Sequence, residues 1–206
     1  MNEGLIARNI TKFWGKKKIS ISFELAKGGA LALLGSSGAG KTTILRMISG
    51  LLGIDSGRLI LDGVDITDVP AGKRGIGMLF QDYALFPHLN VKDNIAYGLR
   101  CRGMAKKDIN EEVEMLLSLF RVEHIASSFP NNISGGEKQR VALARTIAVG
   151  DEVILFDEPL SALDAPLRKK LQEELRERQR ELKFTAVYVT HDETEAKTLA
   201  DEIVVI

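Results

Sequence analysis

Gly35-Ser36-Ser37-Gly38-Ala39-Gly40-Lys41-Thr42 has the spacing G-x-x-x-x-G-K-[ST]. Before it runs Ala30-Leu31-Ala32-Leu33-Leu34, with the length and composition of a buried strand. After it, Thr43-Ile44-Leu45-Arg46-Met47-Ile48 continues as a helix. The predicted unit is strand, glycine loop, helix, and phosphate binding requires each part. Gly35, Gly38 and Gly40 let the backbone turn tightly and bring N–H groups close to phosphate oxygens. A helix beginning near Gly40 aims its unpaired N–H groups and positive dipole end at the same anion. Lys41 supplies a point charge for β- and γ-phosphates, and Thr42 a hydroxyl for a Mg²⁺ ion. Ser36, Ser37, Ala39 and Thr43 complete the candidate phosphate-binding set. A turn that binds nothing needs neither the lysine nor the hydroxyl. A dinucleotide fingerprint would order its glycines differently.

Downstream, Val153-Ile154-Leu155-Phe156 is an unbroken apolar run expected of a parallel strand buried on both faces. Asp157 and Glu158 follow it, where ligands bind at the carboxyl ends of an open sheet. Asp157 is a candidate Mg²⁺ ligand, directly or through water. Side chains alternate along a strand, so Glu158 points elsewhere and is a candidate general base for a water near the γ-phosphate. Gln81 ends another apolar run, Ile76 to Phe80, and its amide is a candidate for the metal or the attacking water. His191 follows Val187-Tyr188-Val189-Thr190 and can donate a hydrogen bond to a γ-phosphate oxygen. Ser134-Gly135-Gly136-Glu137 opens a helix with a favoured capping serine, a second helix start suited to an anion. His88 and His124 have no acidic or cysteine partners at metal-ligand spacing and read as structural or surface residues.

The rest of the chain organises around these motifs. Leu5 to Ile10 reads as a strand and Lys12 to Lys18 as a basic turn. Ile19, Ile21, Phe23 and Leu25 alternate with polar residues as a half-buried antiparallel strand. Helical patterns dominate from about Tyr83 to Val149, with Ile109, Val113, Leu116, Leu117 and Phe120 on one face. The α/β pattern then resumes, with a charged surface helix whose stripe is Leu167, Leu171, Leu175 and Leu182. The predicted fold class is α/β: a P-loop NTPase core with an antiparallel β subdomain over 1–82 and 150–206, and a helical subdomain inserted over 83–149.

Composition sets limits. The 206 residues suffice for one domain with its own core. The formal net charge is zero, which gives no electrostatic case for nucleic acid as a partner. One cysteine, Cys101, excludes an intrachain disulfide and fits a reducing compartment. Met1-Asn2-Glu3-Gly4 does not read as a signal peptide. No stretch approaches the ~20 apolar residues of a membrane span, so a membrane role is expected to run through a partner.

Taken together, the motifs and their order resemble the nucleotide-binding subunit of an ABC transporter over essentially the whole chain. Gly35 to Thr42 matches Walker A, Gln81 the Q-loop, and Ser134-Gly135-Gly136 the signature. Ile154 to Asp157 matches Walker B, with Glu158 as catalytic glutamate. Ser161-Ala162-Leu163-Asp164 matches the D-loop and His191 the switch histidine. The resemblance implies ATP and Mg²⁺ as cofactors and two copies closing head to tail over two ATP molecules. Walker A of one copy then faces Ser134 to Glu137 of the other. It also implies transmembrane permease subunits as partners, meeting the groove near Gln81 to Leu89 and the helical subdomain. A solute-binding protein belongs to the full system, and the chain would sit peripherally on the cytoplasmic face of the membrane. An aromatic residue before Gly15 would stack on adenine: Trp14, with Phe13 as the substitute.

The stretch Gln81-Asp82-Tyr83-Ala84-Leu85-Phe86-Pro87-His88-Leu89 resembles importers for polyamines, sulfate, iron(III), molybdate or maltose. Two departures stand out. Ile133 replaces the signature's usual leucine, and Glu137 its usual glutamine, which sets a negative charge near a nucleotide site. The family pattern also implies further strands or helices after Ile206, in some importers a regulatory domain. The rival reading is a soluble ABC ATPase of DNA repair or translation. Repair members place a long coiled coil where this chain has a short helical block, and translation members usually carry two cassettes.

Overall fold

β1 (Gly4–Trp14) and β2 (Lys17–Ala26) form an antiparallel hairpin whose apolar alternation holds in space: Ile19, Ile21, Phe23 and Leu25 are buried and the residues between them exposed. A computed structural model of the chain describes residues 4–161 and 163–206. Met1 to Glu3 of the opening stretch and Ala162 of the D-loop stretch lie outside the described residues. The expected basic turn is shorter than its sequence suggests. Lys12, Phe13 and Trp14 pair with Ile19, Lys18 and Lys17, so the strands run on until Gly15-Lys16. Cross-strand pairing overrides the polar character of that stretch.

β3 (Ala30–Leu34) leads through the glycine loop into α1 (Lys41–Ser49). β4 (Ser56–Leu61) and β5 (Val64–Asp65) meet at Asp62-Gly63, both at positive φ (47° and 81°), as a tight hairpin turn needs. β6 (Ile76–Leu79) follows. Arg74, just before it, is buried and donates to the carbonyls of Val69, Met47, Ile48 and Thr67, which ties the end of α1 to this segment.

Three helices follow. α2 (Val91–Cys101) is capped by Asn90, whose Oδ1 accepts the Asp93 amide at 2.7 Å. α3 (Lys106–Leu119) buries Ile109, Val113, Leu116 and Leu117, the face read from spacing. α4 (Gly135–Ala148) buries Val141, Ala142, Leu143, Ala144 and Ile147.

β7 (Val153–Asp157) is buried throughout. α5 (Ala165–Leu182) differs from its expected leucine stripe. Leu171 and Leu175 are buried, but Leu182 is exposed, and Gln172, Arg176 and Gln179 complete the inner side. The cause lies in what the helix passes. Gln179 Nε2 donates to the Gly28 and Phe184 carbonyls, both at 2.7 Å, and Arg176 pairs with Asp201. Buried turn carbonyls need donors, and this helix supplies them. β8 (Thr185–Thr190), α6 (Glu193–Leu199) and β9 (Glu202–Val205) end the described chain.

The strands form two sheets, a four-stranded one ordered β2-β1-β4-β5 and a five-stranded one ordered β6-β7-β8-β3-β9. β3 pairs in parallel with β8 and β9, and β7 with β8. By contacts the chain separates into two units. One comprises 4–78, 151–158 and 166–206. The other comprises 79–150, 159–161 and 163–165. The first has a core of both sheets and α1, with Leu31, Leu33, Ile44, Leu45, Ile48, Leu155 and Val187 at its centre. Among the described residues no helix is long and apolar enough to cross a membrane.

Candidate functional site

β3, β8 and β7 are neighbouring parallel strands, so their carboxyl ends fall along one edge of the sheet. An open α/β sheet binds ligands along such an edge. β3 delivers the glycine loop there. A β-carbon on Gly35 would lie 2.8 Å from the Ile206 carbonyl oxygen, so the strand end beside it admits only glycine. Gly40 has φ 114°, and a β-carbon there would also meet the Ile19 side chain at 2.9 Å. Ser36, Ser37 and Gly38 are exposed at the crest, with Ala39 and Gly40 half-buried behind them. Lys41 is buried, and its ammonium donates to the Gly35 and Ser36 carbonyls at 2.7 and 2.8 Å. The loop therefore holds its own lysine cation over its mouth.

Thr42 and Thr43 occupy the first turn of α1. The Thr42 hydroxyl donates to Asp157 Oδ1 at 3.2 Å. Asp157 is buried at the end of β7. Burial pushes its carboxyl above the usual range, against the pull of the Thr42 hydroxyl, Arg46 and Lys41. A Mg²⁺ ion takes one or two protein oxygens and completes its shell with phosphates and water. The Thr42 and Asp157 oxygens meet at one point beside the loop and fit that need.

Glu158 follows in the left-handed region, φ 50°, and its amide donates to the Val189 carbonyl of β8 at 3.1 Å. His191 Nδ1 lies 3.5 Å from Glu158 Oε1. The turn carrying His191 has support that the sequence reading missed. The Thr190 hydroxyl bonds to the buried Glu195 carboxyl and accepts the Asp192 amide at 3.0 Å. Asp192 caps α6. No spacing rule marks Glu195 as a partner of Thr190, although a glutamate in a helix's first turn is an ordinary capping signal.

Trp14 and Phe13 are both exposed at the hairpin tip. Trp14 pairs directly with Lys17, so the two share a face of the hairpin. Lys17 Nζ donates to the Gly38 carbonyl at 2.8 Å, so this is the face turned toward the glycine loop. Phe13 pairs with Lys18 on the opposite face. Lys17 was legible only as part of a basic run.

The remaining candidates belong to the second unit, with their own geometry. Gln81 is exposed in the turn after β6. The segment beyond it is pinned from inside. The Arg145 guanidinium donates to the Tyr83 and Ala84 carbonyls, both residues at positive φ, and lies 5.2 Å from the Phe86 ring centre. Buried Asn94 bonds the Phe86 amide and carbonyl. Ser134 caps α4 in a reciprocal capping box with Glu137. A β-carbon on Gly136 would sit 3.2 Å from the Leu163 side chain, which packs over the helix start, and Asp164 beside it is exposed. His124, expected to be a structural or a surface residue, is exposed and has a partner: its Nε2 lies 3.1 Å from Glu137 Oε1.

A glycine loop, a threonine beside a buried aspartate, and a glutamate and histidine on adjacent strand ends make this a P-loop NTPase fold with its phosphate edge assembled. The ABC transporter family description matches residues 19–161, and the chain belongs to that family. Among curated relatives it is 44% identical over 99% of its length to the Fe(3+) ions import ATP-binding protein FbpC 1 of Haemophilus influenzae, covering 63% of that protein. It is 47% identical over 97% of its length to the spermidine/putrescine import ATP-binding protein PotA of Pasteurella multocida, covering 54% of it. The chain thus spans a little over half the length of these relatives. Among solved structures, a dimeric post-hydrolysis state of the ATP-binding cassette MJ0796 bound to ADP and Pi matches with a TM-score of 0.88 and 28% identity. That likeness covers 98% of this chain and 94% of the other.

Proposed function

We propose that this chain is the ATP-binding and ATP-hydrolysing part of an ABC importer, powering transport by head-to-tail closure of two copies over two ATP molecules. The observation that carries the reading is the meeting of Lys41, Thr42, Asp157, Glu158 and His191 along the ends of β3, β7 and β8. Lys41 exchanges the Gly35 and Ser36 carbonyls for β- and γ-phosphate oxygens. The loop amides from Gly35 to Thr43 cradle the phosphates. Thr42 and Asp157 would hold Mg²⁺, with Gln81 as a further ligand, and the ion supplies charge neutralisation at the phosphates. Glu158 orients and deprotonates a water for in-line attack on the γ-phosphorus. The bond from that phosphorus to the bridging oxygen breaks, and ADP leaves. His191 donates to the γ-phosphate and steadies Glu158. Trp14 stacks on adenine.

Ser134, Gly135 and Gly136 serve the γ-phosphate of the opposite copy, with Glu137 beside them at the same helix start, and Asp164 lies at the seam between copies. Residues 1–82 and 150–206 would form the catalytic core, and 83–149 the helical subdomain that meets a transmembrane permease. The protein then sits peripherally on the cytoplasmic face of the membrane, with a solute-binding protein in the complete system. The named functions of FbpC and PotA as import ATP-binding proteins support an importer, and the dimeric ADP-bound cassette supports the paired arrangement. Those two relatives carry different cargoes, as expected if cargo touches other subunits.

The test is co-purification of the tagged chain from native membranes, with phosphate release measured on the same preparation. A multi-span membrane protein and Mg²⁺-dependent ATP hydrolysis are expected. Ribosomes or DNA in place of a membrane protein would overturn the transport assignment.

A further inference from the structure

Glu195 stands in the first turn of α6, three residues after the cap Asp192, where a glutamate ordinarily reaches back to the cap's own amide. Here it does not. The Asp192 amide donates to Thr190 Oγ1 at 3.0 Å, and the Thr190 hydroxyl donates to Glu195 Oε2. Asp192 Oδ1 accepts the Thr194 and Glu195 amides at 2.7 and 3.0 Å, so the start of α6 is capped without the Glu195 carboxylate. Glu195 reaches past its own helix to the last residue of β8. That reach is unfavourable on its own account. Glu195 is buried, its Oε1 has no hydrogen-bond partner among the described residues, and burial pushes its carboxyl above the usual range against the pull of the Thr190 hydroxyl. A glutamate serving only the helix start needs no such burial.

What the link fixes is the residue between its ends. His191 lies between Thr190 and Asp192, and its side chain is 64% exposed, so packing does little to orient it. Thr190 is buried and pairs with Leu34 of β3. Its hydroxyl has one proton. Glu195 takes that proton, which leaves a lone pair aimed at the Asp192 amide. The peptide units on both sides of His191 are thus held, and its Nδ1 stands 3.5 Å from Glu158 Oε1. We propose that Glu195 is a positioning residue for His191: by fixing the Thr190 hydroxyl it holds the turn that presents the imidazole beside Glu158 and to the γ-phosphate. This rests on the role given to His191 under Proposed function. Glu195 acts through Thr190, not on the nucleotide.

The test is single-turnover ATP hydrolysis by the purified chain at a concentration that supports pairing, with ATP affinity measured alongside. Glu195→Ala should slow hydrolysis about ten-fold to a hundred-fold, as for a catalytic group displaced by about an ångström, and leave the Kd for ATP within about two-fold because the glycine loop is untouched. Glu195→Gln, whose amide oxygen accepts the Thr190 hydroxyl, should restore the parent rate. Thr190→Val breaks the same link from its other end and keeps the side-chain shape. It should match Glu195→Ala, and it decides the matter if that variant does not fold. In a His191→Ala background neither change should slow hydrolysis further. The imidazole proton NMR signal of His191, assigned by its absence in His191→Ala, should move in Glu195→Ala and Thr190→Val and hold in Glu195→Gln, with those of His88 and His124 unmoved throughout. The proposal is overturned by the parent rate in either link-breaking variant, by failure of Glu195→Gln to restore the rate, by an equal loss in the His191→Ala background, or by an unmoved His191 signal. Hydrolysis at the parent rate in His191→Ala itself would instead sink the role of His191 on which the proposal rests.

Discussion

His191 Nδ1 lies 3.5 Å from Glu158 Oε1, and the two residues leave adjacent strands whose backbones are joined by the bond from the Glu158 amide to the Val189 carbonyl at 3.1 Å. The left-handed conformation of Glu158 costs roughly 1–3 kcal/mol for a residue with a side chain. The return is direction: the chain turns out of β7 so that the carboxylate faces the imidazole of His191 just beyond β8. Glu158→Gln keeps the shape and removes the proposed base. Hydrolysis should fall by about a hundred-fold to ten-thousand-fold while ATP binding survives. The ATP-bound dimer should persist in gel filtration with ATP and Mg²⁺. Hydrolysis at the parent rate would remove Glu158 from the chemistry.

Asp157 separates activity from stability. Its folded-state pKa is raised, chiefly by burial. The native protein thus holds this proton to higher pH than the unfolded chain does. The stability linked to the protonated form is present in acid and is lost as pH rises through the folded pKa. Above that folded pKa the ionised group is a standing cost to the nucleotide-free fold. Asp157→Asn should therefore melt at the same temperature as the parent or higher, without nucleotide at neutral pH. Its Mg²⁺-dependent turnover should fall roughly a hundred-fold or more. Parental turnover in this variant would refute the Mg²⁺ assignment.

How much was legible beforehand differs between the two kinds of contact at this site. The glycine loop, the buried β7 and the alternation in β2 are local patterns, and each element formed where its pattern lies. Helix α5 was legible as a helix but not in its inner face, because the need for Gln179 and Arg176 arises from carbonyls and a carboxylate far away in sequence. Lys17 on Gly38, Leu163 over Gly136 and His124 on Glu137 were invisible for the same reason. Periodicity reports which way a residue faces along its own element. It does not report what the rest of the chain brings to meet it.

Assembly gives a prediction that needs no structural variant at first. If Ser134 serves the opposite copy's nucleotide, ATPase activity of the purified chain should rise more than linearly with protein concentration. Ser134→Arg should abolish turnover and leave ATP binding to the monomer intact. Fluorescence titration and phosphate release on the same sample distinguish the two. Strictly linear activity down to high dilution, with no dimer at any concentration, would mean a self-sufficient single-chain site.

The last prediction concerns Trp14, the only tryptophan in the chain. It stands exposed at the hairpin tip, directly across from Lys17, whose ammonium rests on the Gly38 carbonyl. Phe13 is equally exposed but pairs with Lys18 on the other face. An aromatic ring stacked on a base contributes about 1–3 kcal/mol, which corresponds to about ten-fold or more in affinity. Stacking uses the π-face and reads no base edge, so GTP should compete moderately well with ATP. Nucleotide should produce a saturable change in tryptophan fluorescence. Trp14→Ala should weaken ATP binding about ten-fold, while Trp14→Tyr should largely retain it. Phe13→Ala should bind ATP as the parent does, because its ring lies on the face turned away from the glycine loop. The reverse result, loss with Phe13→Ala and none with Trp14→Ala, would transfer the adenine contact to Phe13 and require the hairpin tip to twist on binding.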